Sequence, residues 1–278
     1  MSGTMDETVM TINSAEMVYG GPVPWDDPAE NAHEAAKLYP STIGRQLPGL
    51  ATLLSNTQLQ ISVTRAVKRH PHLDAVALPA LRLPDVSLDT LLRRRRTRYP
   101  AAGSTLDLAT LAKVLSASYG ITARSAQSPQ TFRSVPSAGA LFPLEVYVVA
   151  SSVRDLDPGL YHYDPERAVL ERLRRGDLQA ELCASIPLAT PVEHAPATLI
   201  VSAMFWRSRF KYGQRGYRFC LIESGHLVQN LLLCASACDV DAAPIGGFYD
   251  ARVDALVGLD GVDESALYVV PLGCGAAA

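Results

Sequence analysis

The stretch from Arg218 to Cys238, RFCLIESGHLVQNLLLCASAC, is too long for a strand and apolar on most of its sides. A segment of that kind is stable as a helix only when other elements cover most of its surface, so it is read as a buried central helix. Strands are expected at Glu145 to Ala150, Leu160 to Tyr163 and Ala197 to Ala203, where β-branched and aromatic residues are dense. Asp164-Pro165 followed by AVLERL reads as a hairpin return, and Ala266 to Leu272 as a closing strand. Helical spacing appears in PAENAHEAAKLY, with Pro28 in the first turn and Pro40 beyond the end. It recurs at Leu108, Leu111, Ala112 and Leu115, with Thr105 as the expected cap and Gly120 just past the end. A short helix within Ala51 to Val67 precedes Leu-Pro pairs that force extended chain. Helices and strands mix without βαβ alternation, which predicts an α+β fold. Residues 1–86 are expected to form a leader and an extension packing on the core, and residues 87–278 the main domain.

Charge is distributed unevenly. The 278 residues carry 25 Lys and Arg against 28 Asp and Glu, a net charge of −3. Five of the cations fall at Arg93 to Arg96 and Arg98, so the rest of the chain has 20 positive charges against 28 negative ones. That background disfavours general polyanion binding, whereas the run itself fits a solvated face, a nucleic-acid contact or a phosphate dianion held by planar, permanently charged guanidinium groups. Residues four apart share a face in helix and strand alike, so Arg94 and Arg98 are the expected convergent pair. The five cysteines are scattered without a CxxC pair, so neither a disulfide framework nor a metal site is expected. The start of the chain lacks an export signal, and the longest apolar stretch outside the central helix, Ala197 to Trp206, is about half a membrane span. A cytoplasmic protein with no membrane association is expected.

Three further motifs carry chemistry. In PSAGALFPLE, Pro136 to Glu145, small residues leave backbone accessible to a flat ligand; taken alone it is also simply a tight turn. Neither GxGxxG opening a βαβ unit nor GxxxxGK[ST] is present. In FKYGQRGYRF, Lys211 and Tyr212 are adjacent, and their side chains diverge unless a turn at Gly213 brings them together. Lowering a tyrosine pKa from about 10 towards 7 requires roughly 4 kcal/mol, which one cation about 4 Å away can supply at an effective dielectric near 20. Gly246-Gly247 in APIGGFYD can bring backbone near a planar ring, or serve as the loop entering a helix at Asp250. His226 is expected as a hydrogen-bonded core residue, and Cys234 and Cys238 as packing residues.

Taken in order, the arginine run, PSAGALFPLE, GLYHYDP, KYGQRGYRF, ESGHLVQN, GGFYD and LYVVPLG resemble the SagB-type branch of the nitroreductase-like flavoproteins, the FMN-dependent azoline dehydrogenases. The resemblance covers about Ser87 to Gly273, with HEAAKLYPS similar to the family's upstream segment. It implies a mainly antiparallel sheet of four or five strands flanked by helices, and a homodimer with FMN at the subunit interface. It implies that Arg94, Arg95, Arg96 and Arg98 hold the flavin phosphate and ribityl chain, although Arg96 stands where the family usually has serine. Arg133, Pro136, Ser137, Ala138 and Gly139 would contact the isoalloxazine, Gly246 and Gly247 would lie near its N5, and Lys211 and Tyr212 would serve azoline oxidation. The implied reaction converts a thiazoline or oxazoline in a peptide or carrier-bound substrate to the aromatic azole, with a cyclodehydratase or synthetase as partner. Removing a carbon-bound proton together with a hydride requires a base and a redox cofactor. The alternatives are an NAD(P)H-dependent nitro, quinone or ene reductase on the same fold, and a flavin-free scaffold or nucleic-acid-binding protein. The latter lacks a recognition helix and interleaved aromatics.

Overall fold

The computed structural model describes residues 27–41, 43–56, 58–59, 67–187 and 190–275. The expected leader and the later part of the Ala51 to Val67 helix lie mostly outside them. The chain divides into two compact units, Met1–Ile43 and Gly44–Ala278. Within the first, helix α1 (Pro28–Ala35) begins where Asp27 accepts hydrogen bonds from the amides of Ala29 and Glu30, with Pro28 in the first turn.

The second unit is built on a seven-stranded sheet. In chain order its strands are β1 (Ala75–Ala77), β5 (Leu144–Ala150), β7 (Gly159–Asp164), β8 (Val169–Arg175), β9 (Ala197–Met204), β10 (Asp241–Ala242) and β11 (Glu264–Gly273). Their spatial order is β1-β8-β7-β5-β9-β11-β10, with every neighbour antiparallel. The sheet is therefore wider than the four or five strands implied by the resemblance: five long strands carry it, and the short β1 and β10 extend its edges. Both edge strands are too short to show a hydrophobic period, which is why sequence pattern misses them. Outside this sheet, β2 (Leu106–Asp107) pairs in parallel with β6 (Val153–Arg154), and β3 (Ile121–Arg124) with β4 (Thr131–Arg133).

Every residue of β5 is buried because helices cover both faces of the sheet. Leu144, Val146 and Val148 join a core with helix α4 (Leu108–Tyr119) and the long helix α7 (Gln214–Ala237), through residues such as Leu111, Leu115, Leu227 and Leu231. Tyr147 and Val149 point the other way, into a second core with helix α8 (Asp250–Val257) and helix α5 (Gln179–Ala184). The central helix is thus the expected one, starting four residues earlier than its apolar run. Asp107, not Thr105, caps α4 by accepting from the Thr110 amide at 2.7 Å, since the short β2 pairing fixes the chain up to that point.

Candidate functional site

Helix α6 (Trp206–Tyr212) follows directly on β9, and Gly213 ends it at φ 55°, a backbone conformation that side-chain-bearing residues rarely adopt. Its position is fixed by backbone contact on two sides. A β-carbon on Gly49, in helix α2 (Pro48–Ser55), would lie 1.7 Å from the Phe210 carbonyl oxygen, and one on Gly216 would lie 2.8 Å from the Arg209 backbone. Lys211 and Tyr212 are the last two residues of this braced helix, and both are half-buried. The Lys211 ammonium stands 5.0 Å from the centre of the Tyr212 ring, within the usual cation–π range of about 6 Å. Both residues are still helical and Gly213 follows them, so the reach of the two long side chains, rather than the expected turn at Gly213, brings their ends together.

The two side chains meet above the PSAGALF loop. A β-carbon on Gly139 would lie 2.6 Å from Tyr212 Oη and 2.7 Å from Lys211 Nζ. Gly139, Ala140 and Phe142 all have positive φ, a concentration of strain that only surrounding contacts maintain. Those contacts are present: Ser137 Oγ accepts from the Phe142 amide at 2.9 Å, and Arg207 of α6 donates to the Phe142 carbonyl at 3.3 Å. The Arg133 guanidinium lies beneath, 4.3 Å from the Tyr119 ring and 5.1 Å from the Phe142 ring, buried with Nε and Nη1 lacking partners.

Next to this loop, Pro136, Ser137 and Ala138 line a cavity of about 250 Å³ with Phe219, Ile222, Glu223 and His226 of α7. Phe219 meets the Tyr212 ring edge-on at 5.1 Å, so the cavity adjoins the Lys211–Tyr212 pair. Glu223 is 3% exposed and its Oε1 has no partner. Burial raises its pKa to about 7, against the opposing pull of the Ser137 hydroxyl and the Arg133 charge. Sequence reasoning missed Glu223, although an acid in the middle of an apolar helix was the available signal. His226 is exposed in this cavity rather than placed in the core, because α7 turns this side of its N-terminal half outward.

The arginine run divides. Helix α3 (Leu88–Arg94) ends within it, capped by Ser87. Arg94, Arg96 and Arg98 line a cavity of about 170 Å³ with Ser236, Asp239 and Asp241 at the far end of α7. Arg94 donates to Ser236 and pairs with Asp239 at 3.4 Å, and Arg98 pairs with Asp241 at 3.7 Å. Three guanidinium groups against two carboxylates leave the cavity net positive. Arg93 turns away to Asp89, and Arg95 does not line the cavity. Gly246 and Gly247 lie exposed between the Ile245–Val269 bridge and α8, where an added β-carbon at either would meet open space.

A cationic cavity and a buried guanidinium with unused donors beside a second cavity match what a phosphate-bearing planar cofactor requires. The nitroreductase family model matches residues 92–274, which takes in all of these features except Gly49.

The chain belongs to the nitroreductase family.

Among its relatives is the nitroreductase-family protein MJ1384 of Methanocaldococcus jannaschii, 33% identical over 196 residues that span 69% of this chain and 95% of that one. The microcin B17-processing protein McbC of Escherichia coli is 29% identical over 163 residues, 56% of this chain and 57% of McbC. Among solved structures, the E. coli microcin synthetase McbBCD complex with truncated pro-MccB17 superposes with a TM-score of 0.57 at 23% identity, over 90% of this chain and 94% of the matched one. For this nitroreductase-family chain, the solved structure bears on fold and the sequence relatives bear on descent.

Proposed function

We propose that this nitroreductase-family oxidoreductase uses FMN to dehydrogenate an azoline ring in a peptide or carrier-bound substrate, giving the thiazole or oxazole. The observation that carries this reading is the convergence of Lys211 and Tyr212 on Gly139, two proton-handling groups poised over a strained loop that offers a flat ligand backbone rather than side chains. FMN bound here would supply the two-electron acceptor that aromatisation needs. At an interface between two copies, Arg94, Arg96 and Arg98 of one would hold its phosphate, and Arg133 with Pro136 to Gly139 of the other its ring, because the two cavities lie at opposite ends of α7. The chain's own chemical task is to take the carbon-bound proton, at Tyr212 Oη or Lys211 Nζ, while the loop fixes the substrate plane.

The kinship with a microcin-processing protein supports a peptide substrate, and the fold shared with a chain of the McbBCD synthetase complex is in keeping with a synthetase partner. Exposed Tyr217, Leu221 and Ile222 on α7 form an apolar strip suited to a second copy of the chain, in keeping with a homodimer.

Lys211→Ala and Tyr212→Phe, purified with undiminished flavin, are expected to lose azoline oxidation. Wild-type rates in both variants would remove the assignment. Fast bleaching of the bound flavin by NAD(P)H would instead favour a nitro, quinone or ene reductase.

A further inference from the structure

We propose that His70, His162 and Glu171 form a binding site for one divalent transition ion of the zinc class, on the far side of the sheet from α4 and α7. The proposal is independent of the azoline reading. His162 in β7 and Glu171 in β8 sit directly opposite each other in the antiparallel register, so their side chains share a face. The chain reaches the same spot just before β1, whose Ala75 also pairs with Glu171. One donor atom from each of the three residues lies within 4.8 Å of the other two, and His162 Nδ1 is 3.1 Å from Glu171 Oε2.

The surroundings orient these groups as ligands. His162 Nε2 is 2.8 Å from Glu145 Oε2. Donation there fixes the tautomer and leaves the Nδ1 lone pair facing Glu171, the carboxylate–histidine arrangement that commonly backs a metal ligand. Glu145 is itself held by Arg207 at 2.5 Å, and Glu171 Oε1 accepts from Arg167 at 3.0 Å. His162 and Glu171 are fully buried, so bulk water does not serve them.

The competing occupant is a proton. Burial lowers the His162 pKa, but its hydrogen bonds and ion pairs with Glu145 and Glu171 outweigh this and raise it, so an imidazolium bridging the two carboxylates would satisfy both strands. It would not satisfy His70, whose Nε2 is buried without a partner while its backbone amide is tied to the same Glu171 Oε2 at 3.0 Å. An ion takes up all three lone pairs together. Two imidazole nitrogens and one carboxylate suit zinc and its neighbours rather than calcium or magnesium, and the half-exposed side of His70 leaves a fourth position for water. Such an ion would pin the segment before β1 to the β7–β8 hairpin. Through Glu145 and Arg207 it would also brace α6.

The test is a titration of tag-free, chelator-treated full-length protein with Zn²⁺, followed by calorimetry and metal analysis, with Co²⁺ as a spectroscopic substitute. We expect about one equivalent of Zn²⁺ per chain, a raised melting temperature and the intense visible bands of four-coordinate Co²⁺. His70→Ala should abolish tight binding, and Glu145→Gln should weaken it by about 10- to 100-fold. Failure of the wild-type chain to take up Zn²⁺ would overturn the proposal and leave the imidazolium as sole occupant. Undiminished binding in His70→Ala, or equal affinity for Mg²⁺, would also overturn it. If His70→Ala does not fold, the wild-type titration and the Co²⁺ spectrum decide the matter.

Discussion

Gly139 approaches Tyr212 so closely that a β-carbon on its backbone would stand 2.6 Å from the phenolic oxygen. The same carbon would lie 2.7 Å from Lys211 Nζ, so one methyl group displaces both groups proposed to move the proton. The atoms it meets are the free ends of flexible side chains, which can swing aside. Gly139→Ala should therefore fold, with a stability cost of about 1 kcal/mol for its positive φ. Azoline oxidation should fall by as much as about 100-fold, the scale of a 1 Å misplacement of reacting groups. Melting curves and steady-state rates on the same preparation check both parts; unchanged turnover would separate the loop from the chemistry.

The arginine run should behave as two populations. Arg94→Ala and Arg98→Ala each remove a guanidinium from the cationic cavity and should weaken FMN binding on the order of 10- to 100-fold. Arg93→Ala, which breaks only an exposed pair with Asp89, should leave flavin affinity unchanged. Fluorescence titration of the apoprotein distinguishes them, and equal losses across all three variants would point to diffuse electrostatics instead.

Glu223 should leave a mark on the pH dependence of stability. Its folded pKa of about 7 lies above the ordinary 4.5, so between these values the unfolded chain ionises while the folded chain keeps its proton. Stability then falls as pH rises through that window, by on the order of 3 kcal/mol, and levels off above it. Glu223→Gln cannot ionise, should lack this contribution and should melt higher than the wild type at pH 8. Subtracting the two calorimetric pH profiles isolates the effect; parallel profiles would mean that the carboxyl ionises freely in the folded state.

The start of α4 offers a test of fold rather than function. Asp107 caps the helix at the Thr110 amide and also meets Arg154 at 2.6 Å. Asp107→Ala should cost about 1 kcal/mol, and up to about 2 kcal/mol, of stability. Thr105→Ala, which leaves the backbone bridge to Cys274 intact, should cost less than about 0.5 kcal/mol. Denaturant midpoints measured at constant m-value compare the two.

The long strands, the central helix and the α+β class were legible because each is a local property: β5, β9 and α7 declare themselves by residue type and period over seven or more positions. The order of the motifs was likewise enough to indicate the family. Geometry across the chain was not legible. Gly49 bracing α6, Glu223 beside the PSAGALF loop, and the division of Arg94, Arg96 and Arg98 from Arg93 depend on which distant segments pack together. His70, His162 and Glu171 show no ligand spacing in the sequence; the β7–β8 register and the segment before β1 bring them together. Sequence by itself determined which segments become helix or strand, since backbone propensity and hydrophobic period act between near neighbours. Only the tertiary structure decided which charges and lone pairs meet, because burial and electrostatic contact depend on distance in space, and the sheet register sets that distance.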